Sequence, residues 1–151
     1  MHFAIIDMSG DLGRIHGSVG VAIQKPRIVL RASRAPDLKA KGKRSERILE
    51  YADIILKYAG INKGAEFELV SDIPEHEGFG SGTQLALAVG SAVSQLYDLN
   101  LSVEDIALKL NRSRRSGIGT HVFKHGGFVI DGGHKKDKGN LQDKDRTTIR
   151  A

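Results

Sequence analysis

Two stretches of the chain combine residue types that hold anions. The first is Pro74-Glu75-His76-Glu77-Gly78-Phe79-Gly80-Ser81-Gly82-Thr83-Gln84. It follows an extended run, Ala65 to Ser71, and leads into an apolar segment, Leu85 to Leu96. The order is strand, proline, glycine-rich turn, helix. Gly78, Gly80 and Gly82 let the backbone adopt positive φ and approach a ligand closely. A helix that starts there offers unpaired N–H groups and the positive end of its dipole. Together these suit a phosphate group, although glycine spacing alone serves a tight packing turn equally well. The second stretch is Arg112-Ser113-Arg114-Arg115-Ser116-Gly117-Ile118-Gly119-Thr120-His121. It sets three arginines before a Gly-containing turn that opens a short helix through Phe123. Guanidinium forks match phosphate or carboxylate oxygens bidentately.

The elements that must position these stretches read as follows. His2 to Ile6 is a short strand at the very start, which suggests sequence before it. Asp7 to Gly17 is a Gly/Asp-rich loop with Gly10, Asp11, Gly13 and Arg14 as its polar centre. Val19, Val21 and Ile23 alternate as a strand with one buried face. Ile28 and Leu30 continue beyond Pro26, and the two strands are expected to pair antiparallel. Ala35 to Lys43 is polar and reads as a loop. From Ser45 the period becomes helical, with Ile48, Leu49, Ala52, Ile55, Leu56 and Ala59 on one side. The segment from Leu85 to Leu96 is apolar nearly all round, which predicts a buried central helix. Ser102 and Asp105 form a capping pair for a third helix. Gly126 to Asp131 is a turn and a strand. Residues 135–151 carry mixed charge with almost no apolar side chain and are expected to lack order. The sum is one α+β domain over residues 1–134, with a mixed or antiparallel sheet and helices on one face.

Composition narrows the function classes. No apolar run approaches the ~20 residues that span a bilayer, and no basic region precedes an apolar core at the start. Cysteine is absent, which removes thiol and disulfide chemistry and fits a reducing, cytoplasmic setting. The net charge of +5 favours anionic partners. Nine basic residues between Lys25 and Arg47 face only Asp37 and Glu46. Nucleic acid uses such patches, but aromatic residues make up only 5% and offer no stacking platform. A solvated basic face is the preferred reading.

Pro74 through Gln84, with the later Ser116-Gly117-Ile118-Gly119 and Gly126-Gly127, resembles the GHMP kinase superfamily. Four stretches are similar to one branch of it, the β-ribofuranosylaminobenzene 5′-phosphate synthases. They are His2 to Met8, Gly10 to Arg14, Gly78 to Ala86, and Arg114 to His121. Gly126 to His134 extends the likeness. The resemblance implies the fold of a GHMP N-terminal domain, similar to the second domain of ribosomal protein S5. It also implies a missing C-terminal domain. That branch joins phosphoribosyl pyrophosphate to a 4-amino- or 4-hydroxybenzoate and releases carbon dioxide and pyrophosphate, on the archaeal route to methanopterin-type cofactors. Magnesium usually accompanies the pyrophosphate.

Carried onto this chain, the resemblance assigns phosphate or nucleotide contacts to Gly78, Gly80, Ser81, Gly82, Thr83 and Gln84, with Ser81 also within reach of magnesium. Arg114 and Arg115 would neutralise the leaving pyrophosphate or hold the benzoate carboxylate, and His121 would act as acid or base. Asp7, Asp11, Arg14 and Thr120 would contact the substrate. Where the kinases commonly carry a catalytic aspartate, this chain has Gly117-Ile118-Gly119-Thr120-His121, with no acid. An ATP-dependent small-molecule kinase is therefore the second expectation. An inactive half-protein or a nucleic-acid-binding module is the third. An uncovered domain face favours association with a second copy or with a C-terminal half.

Overall fold

The apolar run after Gly80 forms the helix against which most other elements pack. The structure, a computed structural model, describes residues 1–11, 13–112, 116–135 and 148–150; of Asp7 and residues 148–150 it describes the backbone alone. Helix α2 (Ser81–Leu96) buries Leu85, Ala86, Leu87, Val89 and Val93. Helix α1 (Ser45–Tyr58) lies against it and adds Ile48, Tyr51, Ala52 and Ile55 to the same core. Helix α3 (Val103–Lys109) approaches so closely that a Cβ on Gly90 would lie 2.3 Å from Ile106 Cγ2. The small residue at that point of α2 is what lets the two helices meet. Helix α4 (Ile118–His125) packs near the start of α2. Each fully buried Ile, Leu or Phe contributes about 1.5–3 kcal/mol.

The strands fall into three sheets rather than one. Strands β1 (His2–Asp7), β3 (Gly17–Val21), β7 (Phe128–Asp131) and β9 (Thr148–Arg150) form an antiparallel sheet in the order β1-β3-β7-β9. Strands β4 (Val29–Ala35), β6 (Gly64–Ser71) and β5 (Lys39–Lys41) form a mixed sheet in the order β4-β6-β5. The short pair β2 (Arg14–Ile15) and β8 (His134–Lys135) completes the set. Helices α1 and α2 cover the mixed sheet, whose Phe67 is fully buried, and α4 covers the antiparallel one. The fold is α+β, as expected.

Four expectations are corrected. The strands either side of Pro26 do not pair with each other. β3 pairs with β1 and β7, whereas β4 pairs with β6 from Val29 opposite Ser71 to Ala35 opposite Gly64. Alternation identifies a strand but not its partner. Second, the buried face of β3 carries Ser18 and Gly20, while Val19 and Val21 are half-buried. A Cβ on Gly20 would lie 2.3 Å from Ile118 Cγ2, so α4 sits too close for a larger residue. Third, the polar stretch Ala35 to Lys43 contains β5, held beside β6 by Lys41 Nζ at 2.6 Å from Glu66 Oε1. Fourth, within the charged tail Lys135 ends β8 and Thr148–Arg150 is a strand, β9, that pairs with β7; residues 136–147 and 151 lie outside the described residues.

The capping pair is present in full. The Asp105 amide donates to Ser102 Oγ at 3.0 Å and the Ser102 amide to Asp105 Oδ2 at 3.1 Å. Ser102→Ala is expected to cost about 1 kcal/mol, a fall of about 2–4 °C in melting temperature. An unchanged melting curve would show that α3 is held by packing alone. Among the described residues, no helix is long and apolar enough to cross a membrane.

Candidate functional site

The proline-to-helix turn owes its shape to glycine. Gly78 and Gly80 adopt φ of 75° and 69°, and Gly80 is the left-handed N-cap of α2 without a side-chain cap. Gly82 is different. It lies inside the first helical turn, and a Cβ there would meet Arg47 Nη1 at 3.9 Å and Arg112 Nη1 at 4.0 Å. The turn also tightens on itself, because the Thr83 amide donates to Gly80 O at 3.0 Å. That amide is thus committed within the turn. The amides of Ser81 and Gly82 belong to the group that a helix leaves without an intrahelical acceptor. No acidic residue occupies the first turn of α2. Ser81 is 7% exposed.

Helix α4 forms a second wall. Gln84 Nε2 donates to Gly119 O at 2.8 Å. A Cβ on Gly119 would lie 2.9 Å from Thr83 Cγ2, so the space of a side chain at 119 is filled by the Thr83 methyl. The start of α4 is itself anchored. Fully buried Asp131 accepts from the Gly117 amide at 2.5 Å and from the Gly133 amide at 2.9 Å. Ser116 and Ser18 hydroxyls lie 2.7 Å apart. Thr120 is buried beside this anchor.

The other nominated residues are placed as follows. Arg14 donates to Gly132 O at 2.8 Å and to Gly133 O at 2.6 Å, which ties the loop before β8 to β2. Asp11 accepts from Ser9 Oγ at 2.8 Å in an exposed loop. Asp7 ends β1 opposite Gly17. Arg114 and Arg115 lie outside the described residues. His121 is two residues beyond Gly119 on α4, about 200° round the helix, and its ring lies 5.9 Å from that of His125. The structure therefore gathers Gly78 to Gln84 with Gly119, and sets His121 on another side of α4.

Burial pushes the His121 imidazole below its ordinary value of 6.5, and neighbouring His125 adds to this. Asp131 and Glu104 pull the other way, and Lys124 pushes down again. As pH falls through about 6.5 the unfolded chain binds more protons at this group than the folded chain, so stability is lost as pH falls. His121→Gln is expected to flatten melting temperature against pH between about pH 7.5 and about pH 5. A profile identical to that of the parent would remove His121 as the cause.

Sequence spacing missed a basic cluster beside α2. Arg44, the left-handed N-cap of α1, is 6% exposed and lies 2.9 Å from Asp72 Oδ1 and 3.4 Å from Glu75 Oε1. Arg47 Nη1 is 3.5 Å from the same Glu75 oxygen. Arg112 donates to the Tyr51 hydroxyl and lies 5.1 Å from the centre of that ring. Arg44, Ser45, Glu46, Arg47, Glu75 and His76 line an open cleft of about 460 Å³ next to the turn. Across the basic stretch as a whole, Arg31, Arg34, Lys39 and Lys41 also make ion pairs with nearby carboxylates.

Comparison with known proteins agrees with this geometry. The family described as GHMP kinases N terminal domain matches residues 46–127. The chain is similar to beta-ribofuranosylphenol 5'-phosphate synthase of Archaeoglobus fulgidus, 46% identical over 136 residues, covering 89% of this chain and 43% of that protein. It is similar to the protein of that name from Methanocaldococcus jannaschii, 33% identical over 153 residues, covering 92% and 46%. The chain thus spans less than half the length of these curated relatives. A crystal structure of mevalonate kinase superposes with a TM-score of 0.62 at 14% identity, covering 95% of this chain and 52% of that one, a likeness of fold alone. The glycine turn, its buried helix and the α4 wall all fall within or beside the matched residues, and the chain belongs to the GHMP kinase family, of which it forms the N-terminal domain.

Proposed function

We propose that this chain is the N-terminal half of a synthase that joins phosphoribosyl pyrophosphate to a 4-hydroxybenzoate. In that reaction the ring carbon bearing the carboxylate forms a bond to C1 of the ribose as the C1–oxygen bond to pyrophosphate breaks. Loss of the carboxyl group as carbon dioxide then restores the aromatic ring. The hydroxy acceptor is favoured over the amino one because the relatives are named for a ribofuranosylphenol product. The observation that carries the reading is Gly119. The stretch Gly117 to His121, where the resemblance implies a kinase would carry an aspartate, holds no acid, and at Gly119 the Thr83 methyl fills the space a side chain would take.

The chain's own part is to hold the diphosphate. The amides of Ser81 and Gly82 and the positive end of α2 face it, and Gln84 keeps the α4 wall closed. Stabilising the charge that develops on the leaving pyrophosphate is the largest catalytic contribution expected of such a site. Among the described residues, no three His, Asp or Glu side chains gather as a metal site. Magnesium fits here as an ion that arrives on the diphosphate, keeps most of its waters and takes at most the Ser81 hydroxyl from this half. When bound it would neutralise phosphate charge. The ATP-kinase reading uses the same turn.

Titration calorimetry with phosphoribosyl pyrophosphate and with ATP, each with magnesium, separates the two. Binding of phosphoribosyl pyrophosphate in preference to ATP is expected. Tight ATP binding with no response to phosphoribosyl pyrophosphate would overturn the synthase reading.

A further inference from the structure

Gly82 connects the phosphate turn to two side chains from distant parts of the chain. The Nη1 atoms of Arg47 and Arg112 lie 3.9 and 4.0 Å from where its Cβ would be. Arg47 comes from the first turn of α1, and Arg112 from the segment that follows α3. Each also has a neighbour within the chain. Glu75 Oε1 lies 3.5 Å from Arg47 Nη1, and the Tyr51 hydroxyl accepts from Arg112 Nη2.

The electrostatics of this arrangement are unbalanced. Two guanidinium groups meet at the positive end of a 16-residue helix that has no acid in its first turn. Glu75 is shared between Arg47 and Arg44. Arg112 Nε is buried with no hydrogen-bond partner. Like charges gathered at a helix N-terminus repel one another and the dipole. A bound anion with several oxygens removes the repulsion.

We infer that Arg47 and Arg112 form a paired grip on a diphosphate group seated over the first turn of α2, with Glu75 and Tyr51 as their positioning residues. The inference rests on the reading that the start of α2 takes the ligand's phosphates, and it adds which side chains grip them. Arginine suits the task because each fork can take two oxygens at once, which lysine cannot. The absent side chain at Gly82 then has a reason of its own: it leaves the space between the two forks open.

The test is titration calorimetry of inorganic pyrophosphate with magnesium against the full chain and its variants. Arg47→Gln and Arg112→Gln are each expected to weaken binding about 10- to 100-fold. The lysine variants recover only part of this. Tyr51→Phe weakens binding by a smaller factor, because it frees Arg112 without removing it. Arg31→Gln, on the far sheet and paired with Glu68, leaves binding unchanged. Gly82→Ala places a methyl group at ordinary contact distance, so the fold tolerates it. It is expected to weaken binding about tenfold by filling the gap between the forks. This variant reads the site without removing a buried partner, should Arg112→Gln melt early.

Affinity within about twofold of the parent in Arg47→Gln or in Gly82→Ala overturns the inference. So does a parent chain that takes up no pyrophosphate at millimolar concentration. Pyrophosphate binding that depends on both arginines, in a chain that ignores phosphoribosyl pyrophosphate, keeps this inference and ends the synthase reading. Use of phosphoribosyl pyrophosphate that is insensitive to both arginines does the reverse.

Discussion

Asp131→Ala is expected to lower the melting temperature by about 6–12 °C. Asp131 is fully buried, and its two oxygens accept from the Gly117 and Gly133 amides at 2.5 and 2.9 Å. Hydrogen bonds to a charged acceptor contribute about 1.5–3 kcal/mol each, and the two donors would be left buried without it. A total near 3 kcal/mol corresponds to about 2–4 °C per kcal/mol in a domain of this size. Asp131→Asn keeps one acceptor and should fall about halfway. The consequence reaches the site, because the Gly117 bond fixes the start of α4 and hence the Gly119 carbonyl that receives Gln84. Pyrophosphate affinity should fall in both variants, and more steeply in the alanine one. A shift under about 2 °C for Asp131→Ala would mean that neither bond bears on stability.

The sequence announced the parts of the molecule that are local. Helix α2 follows from an apolar run with no polar face. Ser102 and Asp105 cap α3 at the three-residue spacing that a capping box needs. Gly78 and Gly80 take the positive φ that their positions suggested. What escaped was set by residues far apart in the chain. Nothing in the period of Val19 and Val21 shows that β3 joins β1 and β7, or that its buried side is the one bearing Ser18 and Gly20. That choice belongs to α4, which lies a hundred residues away and comes too close for any side chain at Gly20. No spacing shows that the Arg14 guanidinium reaches the carbonyls of Gly132 and Gly133.

The same limit applied to the arginines. Arg47 read as one more member of a solvated basic stretch, and Arg112 was named only as part of a run of three. Their meeting point at Gly82 depends on the crossing of α1 and α2 and on the end of α3. The third glycine of the turn did give a signal, because a residue already inside a helix gains nothing from left-handed freedom. A glycine there points to close approach by something else.

Gly119→Asp is expected to weaken pyrophosphate binding about thirtyfold while moving the melting temperature little, and to confer no phosphoryl transfer from ATP. The local terms favour aspartate. Replacing glycine by aspartate in a helix gains about 0.3 kcal/mol, and an acid in the first turn gains about 0.3–1 kcal/mol more. Against them stands the clash with Thr83 Cγ2 at 2.9 Å, where overpacking costs about 1–3 kcal/mol. These nearly cancel, so stability is a poor reporter here and binding is the sensitive one. At an effective dielectric of about 20, a full charge roughly 7 Å from a phosphate oxygen repels it by about 2 kcal/mol. Gly119→Ala carries the clash without the charge and should lose only a small part of the affinity. Thr83→Ser removes the methyl in the way, so Gly119→Asp combined with Thr83→Ser should melt higher than Gly119→Asp alone. If Gly119→Asp binds pyrophosphate as the parent does, the α4 wall does not face the ligand, and Gly119 loses its place in the argument for a synthase. If the combined variant transfers phosphate from ATP, the filled space beside Thr83 was all that separated this domain from its kinase relatives.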